Sequence, residues 1–135
     1  MKCIIDTNVL ISTSLFPNGV TAQAYFKAVA SPYSAVVCDY SLDELHRVYN
    51  RKFKNKLRTL ESFLSLLFRT VKIIDTPSEE EAVESETAIC DLDDRPILRA
   101  AIKANVDILI TGDSDFLKSG LTHPHIIKPA DFLIM

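Results

Sequence analysis

Lys2-Cys3-Ile4-Ile5-Asp6-Thr7-Asn8-Val9-Leu10 is the stretch that decides the fold. A short apolar run ends on an acid and passes at once into residues with helical spacing, so a strand from Lys2 to Ile5 feeds a helix from about Thr7 to Leu15. An apolar strand of this kind belongs inside a sheet, and Asp6 then stands at its carboxyl end. That is the side on which open α/β sheets bind ligands. Asp is also a good helix N-cap, so Asp6 has a structural role to weigh against a functional one.

Outward from this unit, strand-like and helix-like segments alternate, the pattern of an α/β domain with a parallel sheet between helices. The turn Pro17-Asn18-Gly19 leads to an Ala-rich helix from Thr21 to Ala30, and Ser34 to Cys38 reads as the second strand. Ser41-Leu42-Asp43-Glu44 has capping-box spacing and opens a helix towards Asn50. Apolar residues at Phe53, Leu57, Leu60, Phe63, Leu64, Leu67 and Phe68 mark one face of a helix ending near Arg69. Val71 to Ile74 is the third strand, and Glu79-Glu80-Glu81 begins a further helix. Pro96 fits the first turn of a helix reaching Lys103. Asp107 to Thr111 and His125 to Ile127 complete the strands, and Pro129 starts a terminal helix through Leu133. With no repeat or linker, one three-layer α/β/α domain is expected over residues 1–135.

Five acids fall at strand ends or helix starts: Asp6, Glu44, Asp94, Asp113 and Asp115. Each has a local excuse. Glu44 at the fourth place of a capping box reaches back to Ser41, Asp91, Asp93 and Asp94 precede a helix, and Asp113 and Asp115 flank a turn at Gly112. Several independent caps have no reason to face one another, whereas acids gathered at one end of a sheet repel and call for a hard cation. A set of oxygen ligands without Cys or His suits Mg²⁺ or Mn²⁺ rather than zinc. Positive charge gathers just after Glu44, in Arg47, Arg51, Lys52, Lys54, Lys56 and Arg58, with Tyr49 and Phe53 among them. Such a run is either a solvated face or a place for phosphates beside the acids.

Composition narrows the classes. A net charge of −3 excludes nucleic-acid binding by overall charge and leaves it to a local patch. Three cysteines without a C-x-x-C pair read as free thiols, and Asp6 interrupts the first apolar run too early for a secretory signal, so a reducing cytoplasm is expected. No apolar run is long enough to span a bilayer. The three histidines, His46, His123 and His125, do not cluster. No P-loop, Gly-x-Ser-x-Gly or Gly-x-Gly-x-x-Gly occurs, which removes support for an NTPase, serine hydrolase or dinucleotide enzyme.

The ordered set Asp6-Thr7-Asn8-Val9-Leu10, Glu44, Asp91-Leu92-Asp93-Asp94-Arg95-Pro96-Ile97-Leu98 and Thr111-Gly112-Asp113-Ser114-Asp115-Phe116-Leu117 resembles the PIN domain family. Within that family it is similar to the toxin components of prokaryotic toxin–antitoxin systems, the VapC-like ribonucleases, and the resemblance covers essentially the whole chain. It implies a parallel five-stranded sheet in the order 3-2-1-4-5 and an endoribonuclease dependent on Mg²⁺ or Mn²⁺. It also implies Asp6, Glu44, Asp94 and Asp113 as the catalytic acids, with Asp6, Asp94 and Asp113 as metal ligands and Asp115 a further acid that some members carry. Asp94 is preferred over Asp93 because the family places an acid two residues before the Pro-Ile-Leu helix start. Thr7, Asn8 and Thr111 would orient ligands or substrate, with Arg47, Arg51 and Lys52 on the phosphates. A homodimer and a cognate antitoxin are implied as partners. Two other readings stay open: a PIN-fold scaffold that no longer cuts, and a receiver-type phosphoacceptor domain, for which Asp6 stands alone after its strand and Lys118 or Lys128 is poorly placed.

Overall fold

The computed structural model describes all of residues 1–135. Its five strands are β1 (Lys2–Ile5), β2 (Ser34–Cys38), β3 (Lys72–Ile74), β4 (Ile108–Ile110) and β5 (His125–Ile127). All neighbours pair in parallel, in the order β3-β2-β1-β4-β5. The register sets Cys3 opposite Ala35 on one side and Ile108 on the other. The helices are α1 (Thr7–Leu15), α2 (Val20–Ala28), α3 (Asp39–Lys52), α4 (Leu57–Thr70), α5 (Arg95–Lys103), α6 (Ser114–Leu117) and α7 (Pro129–Leu133).

Side chains alternate along each strand, so each face of the sheet carries its own core. Cys3, Ile5, Ala35, Val37, Ile108 and Ile110 pack against the first four helices and α7 through Val9, Tyr25, Leu45, Tyr49, Phe63 and Phe132. Ile4, Val36, Cys38 and Leu109 pack on the other face against Ile97, Leu98 and Ala101 of α5 and against Phe116. Strands covered on both faces need near-continuous apolar sequence, which is why Cys3-Ile4-Ile5 is fully buried. The expected α/β/α layering and strand order are therefore present. A receiver-type sheet, with the flavodoxin-like order 2-1-3-4-5, sets β1 between β2 and β3; here β1 lies between β2 and β4.

Three local expectations are overturned. Helix α3 starts at Asp39, directly after β2, and Ser41 lies buried inside its first turn with Oγ 3.4 Å from Cys38 Sγ. The Ser41–Glu44 capping box therefore does not form. Asp39 fixes the earlier start: its Oδ1 accepts from Tyr40 N at 2.9 Å and from Thr76 N and Oγ1 at 2.9 and 2.6 Å. The single helix expected from Phe53 is interrupted. Phe53 leaves helical geometry at φ −132°, ψ 42°, stacks on Tyr49 with ring centroids 5.4 Å apart, and a 3₁₀ turn over Lys54–Lys56 precedes α4. Most of the apolar stripe still faces the sheet through Leu60, Phe63 and Leu67, while Leu57 and Phe68 are 44% and 56% exposed. Glu79–Glu81 is a lone 3₁₀ turn, followed by another over Glu84–Ala88. In a longer helix Glu80 and Glu84 would face each other as like charges four residues apart, which disfavours it.

What holds the long excursion between β3 and α5 is a buried ion pair. Arg99 Nη2 and Nε donate to the two Glu86 oxygens at 2.8 and 3.1 Å, and Nη1 donates to the Pro77 carbonyl at 3.0 Å. Both side chains are nearly inaccessible, so removing one leaves the other charged and unpaired. Glu86→Ala should cost about 3 kcal/mol in urea unfolding, and a Glu86→Leu, Arg99→Met double variant should recover most of that loss. Equal stability of Glu86→Ala and the parent protein would show that the pair does not anchor the excursion.

Candidate active site

The sheet reverses direction of travel between β1 and β4, which opens a crevice at their carboxyl ends. Asp6 closes β1 and its amide donates to Ile110 O at 3.1 Å. The residue is buried, with 2% of its surface exposed. Oδ1 accepts from Thr7 N at 2.7 Å and Oδ2 from Thr111 Oγ1 at 2.6 Å. A usual N-cap side chain takes the second or third amide of the helix; Asp6 takes only the first, so capping does not account for its placement. The Thr111 hydroxyl also accepts from Asp113 N at 3.0 Å, and Asp113 Oδ1 accepts from Asp115 N at 2.8 Å at the start of α6. Thr7 donates through Oγ1 to Glu44 Oε1 at 2.7 Å. Asn8 Oδ1 accepts from Gly112 N at 3.4 Å across the mouth.

Asp94 stands just before α5 in right-handed backbone geometry and makes no capping bond. It is 8% exposed, and its Oδ2 is buried without a hydrogen-bond partner. Buried polar atoms are almost always paired, so this oxygen marks a place where another group belongs. Asp6, Thr7, Asn8, Glu44, Asp94 and Asp113 line one pocket of about 150 Å³. Four of the acids expected from the sequence thus come together from four separate segments of chain. Asp115 does not line that pocket. It groups instead with Asp91 and Asp94, one carboxylate oxygen of each lying within 4.8 Å of the others.

Burial pushes the Asp6 carboxyl up to about 7; the bonds from Thr111 and Thr7 oppose this, and the charges of Glu44 and Asp113 add to it. Burial likewise pushes Asp94 up, to about 8, reinforced by Asp6, Asp113 and Asp91. Glu44 is raised by burial, with Thr7 and Arg47 pulling the other way. Such a group resists full ionisation on its own and accepts a cation that restores it. All donors are oxygens, and no Cys or His lines the pocket, so the residues fit Mg²⁺ or Mn²⁺. Asp94 belongs both to this pocket and to the Asp91–Asp94–Asp115 group, whose carboxylate oxygens lie close enough together to share one ion, and its orphaned oxygen is where such an ion could bind, with Asp6 and Asp113 alongside.

The basic run divides. Arg47 and Arg51 enter a second cleft of about 240 Å³ with Tyr40, Glu44, Val48 and Asp93, and Glu44 and Val48 line both spaces. Lys52 is exposed but lines neither, and Arg58 faces a different cleft beside Phe26 and Phe63. Tyr49 is fully buried, its hydroxyl against Ser14, so it is not the aromatic beside the acids. Tyr40 takes that place, with the Arg47 guanidinium 5.7 Å from its ring centroid. Sequence reading missed Tyr40 because it set the start of α3 at Ser41. Once the helix begins at Asp39, Tyr40 and Arg47 are seven residues apart on one face. It also missed Lys128, which shares a cleft with Asn8 and Gly112 on the opposite flank.

A model of the PIN domain family matches residues 2–115, and the chain belongs to that family. Its fold is shared with several solved structures. A complex of VapBC2 from Rickettsia felis with a DNA fragment of its promoter contains a chain 18% identical, with TM-score 0.72, covering 95% of this chain and 98% of that one. VapC20 of Mycobacterium tuberculosis, a toxin that cleaves the sarcin–ricin loop, is 12% identical with TM-score 0.64, over 89% and 96% of the two chains. PAE2754 from Pyrobaculum aerophilum is 15% identical with TM-score 0.67, over 99% and 88%. No curated protein sequence gives a significant match. No helix is long and apolar enough to cross a membrane.

The raised carboxyls make a signed prediction. In the folded chain Asp6 and Asp94 hold protons up to about 7 and about 8, against 3.8 for the free group. Between these limits the folded state binds more protons than the unfolded one, so their stabilisation is complete at low pH and is lost as pH rises through the folded values. Melting temperature in EDTA should fall as pH goes from about 5 to about 8. Asp94→Asn should flatten that fall, and Mg²⁺ should raise the melting temperature most at the upper end. A metal-free melting temperature that climbs over this interval would contradict the clustered arrangement.

Proposed function

We propose that the chain, as one PIN domain, is a metal-dependent endoribonuclease that hydrolyses RNA phosphodiester bonds, and that it is the toxin of a type II toxin–antitoxin pair. The observation that carries this reading is the pocket in which Asp6, Glu44, Asp94 and Asp113 meet, with a buried Asp94 oxygen left unpaired. Family membership supports the nuclease chemistry, and the fold shared with the Rickettsia felis and Mycobacterium tuberculosis proteins supports the toxin role and a cognate antitoxin as partner. Residence in the cytoplasm and assembly as a homodimer belong to the same reading.

Asp6, Asp94 and Asp113 would hold Mg²⁺ or Mn²⁺, with Asp115, grouped with Asp91 and Asp94, as a further acid beside them. When bound, the cation supplies neutralising charge for the scissile phosphate and lowers the pKa of the attacking water. The chain supplies the rest. Thr111 fixes Asp6 through its hydroxyl and Asp113 through its backbone, so two ligands share one support. Glu44, held by Thr7 at the mouth of the pocket, orients the attacking water and takes its proton. Arg47 and Arg51, in the adjoining cleft, set positive charge beside the acids and so offset the repulsion an approaching RNA strand meets there. Water attacks phosphorus, the bond to the departing ribose oxygen breaks in line, and a proton passes to that oxygen.

Purified protein should cleave RNA in Mg²⁺ or Mn²⁺ and stop in excess EDTA. Asp94→Asn should abolish cleavage while raising the melting temperature in EDTA at about pH 8, where the parent carboxyl is forced to ionise beside the other acids. Glu44→Gln should lower the rate by about 10²–10⁴-fold, the usual worth of a positioned base, with melting unchanged. Cleavage undiminished by chelator, in protein free of contaminating nuclease, sinks the reading. Near-parental cleavage by Glu44→Gln leaves the aspartates as the sole machinery.

A further inference from the structure

The cleft beside the acid pocket has an unusual charge pattern. Tyr40, Arg47 and Arg51 project from one face of α3, and Asp93 faces them from the loop before α5. The chain's two ion pairs are Arg99–Glu86 and Lys103–Glu81, so the arginines and carboxylates of this cleft are not spent on one another. A bare phosphate would use the arginines and be repelled by Asp93. A ligand that uses both must present hydrogen-bond donors and acceptors on one edge, and must be flat enough to lie along the Tyr40 ring and the Arg47 guanidinium. A nucleobase has those properties.

Among the bases, guanine offers N1–H and the N2 amine as adjacent donors for one carboxylate, with O6 and N7 as acceptors for a guanidinium. Adenine would set its N1 lone pair against Asp93, and cytosine would present a single amine beside two acceptors. Because Glu44 and Val48 line both this cleft and the acid pocket, a base seated here belongs to a nucleotide flanking the bond at the acids. Its pairing edge is occupied by the protein, so the nucleotide is unpaired. The backbone behind the site is fixed, since Tyr40 N is held by both Asp39 and Thr76.

We infer that the Tyr40–Arg47–Arg51–Asp93 cleft is a base-reading subsite that selects an unpaired guanine next to the scissile phosphodiester. The Arg47 guanidinium, backed by the Tyr40 ring, stacks the base, Asp93 accepts from N1–H and the N2 amine, and Arg51 donates to O6 and N7. The inference rests on the ribonuclease reading for its substrate class.

Its test separates the two. Fluorescent RNA pentamers with G, A, C, U or inosine at the central position are titrated with Asp94→Asn protein, which does not cut, and read by anisotropy. Guanine should bind about tenfold tighter than adenine, with inosine, which lacks the N2 amine, in between. Asp93 is exposed, so Asp93→Asn should fold normally and erase the difference between guanine and adenine, while Tyr40→Leu should weaken all pentamers together. Equal affinities, absence of binding to every pentamer, or a guanine preference that survives Asp93→Asn overturns the subsite. The same pentamers are then offered to the parent protein in Mg²⁺. Guanine-selective binding without cleavage overturns the ribonuclease reading alone, and cleavage with no base preference overturns the subsite alone.

Discussion

The hydrogen bond from the Thr111 hydroxyl to Asp6 joins the ends of two adjacent strands, and the rest of the site hangs from it. It forms because β1 and β4 are neighbours, which places residue 6 and residue 111 side by side at the point where the strand order reverses. The same hydroxyl receives the Asp113 amide, so one threonine sets the position of two acids contributed by distant segments. Thr7 does the equivalent for Glu44. Asp94 alone keeps a fully buried oxygen without a partner, and it is the acid common to the two carboxylate groups. A cluster so arranged is costly in the absence of a cation, since burial and like charge act in the same direction on every member. Two apolar cores, one on each face of the sheet, offset that cost.

Much of this was legible in the chain because strand periodicity and abrupt acids are local signals. Cys3-Ile4-Ile5 followed by Asp6 announces a buried strand with an acid at its carboxyl end, and the structure has both. Asp94 before Pro96 was legible for a similar reason, since a proline in the first turn fixes where the helix begins. The strand order was not a matter of periodicity; it came with the family resemblance, and the hydrogen-bond ladder has it.

Glu44 shows why the remainder was hidden. Ser41 and Glu44 have the right spacing for a capping box, but a cap requires Ser41 to lie outside the helix. The start of α3 is decided instead by Asp39 and Thr76, thirty-seven positions apart in sequence and adjacent only because β2 pairs with β3. A tertiary contact therefore moved the helix start, released Glu44 to Thr7 and turned Tyr40 towards the arginines. The run of basic residues was misleading in the same way: Phe53 breaks the helix, Lys54 and Lys56 beyond it line neither the acid pocket nor the cleft beside it, and Arg58 lines another cleft.

The division of that run bears on how a chain with net charge −3 could meet a polyanion. Overall charge would repel RNA, so attraction has to be local and short-ranged, at distances within which screening by salt leaves it effective. The two flanks of the acid pocket meet that requirement. Arg47 and Arg51 lie in the cleft on one side, reached through Glu44 and Val48, and Lys128 lies in the cleft on the other, reached through Asn8. A strand crossing from one flank to the other would be held by cations at both ends while its middle is presented to the carboxylates. In the proposed ribonuclease a cation bound there would remove the repulsion in the middle as well, so one ion would both relieve the buried acids and make the path continuous for a phosphate backbone.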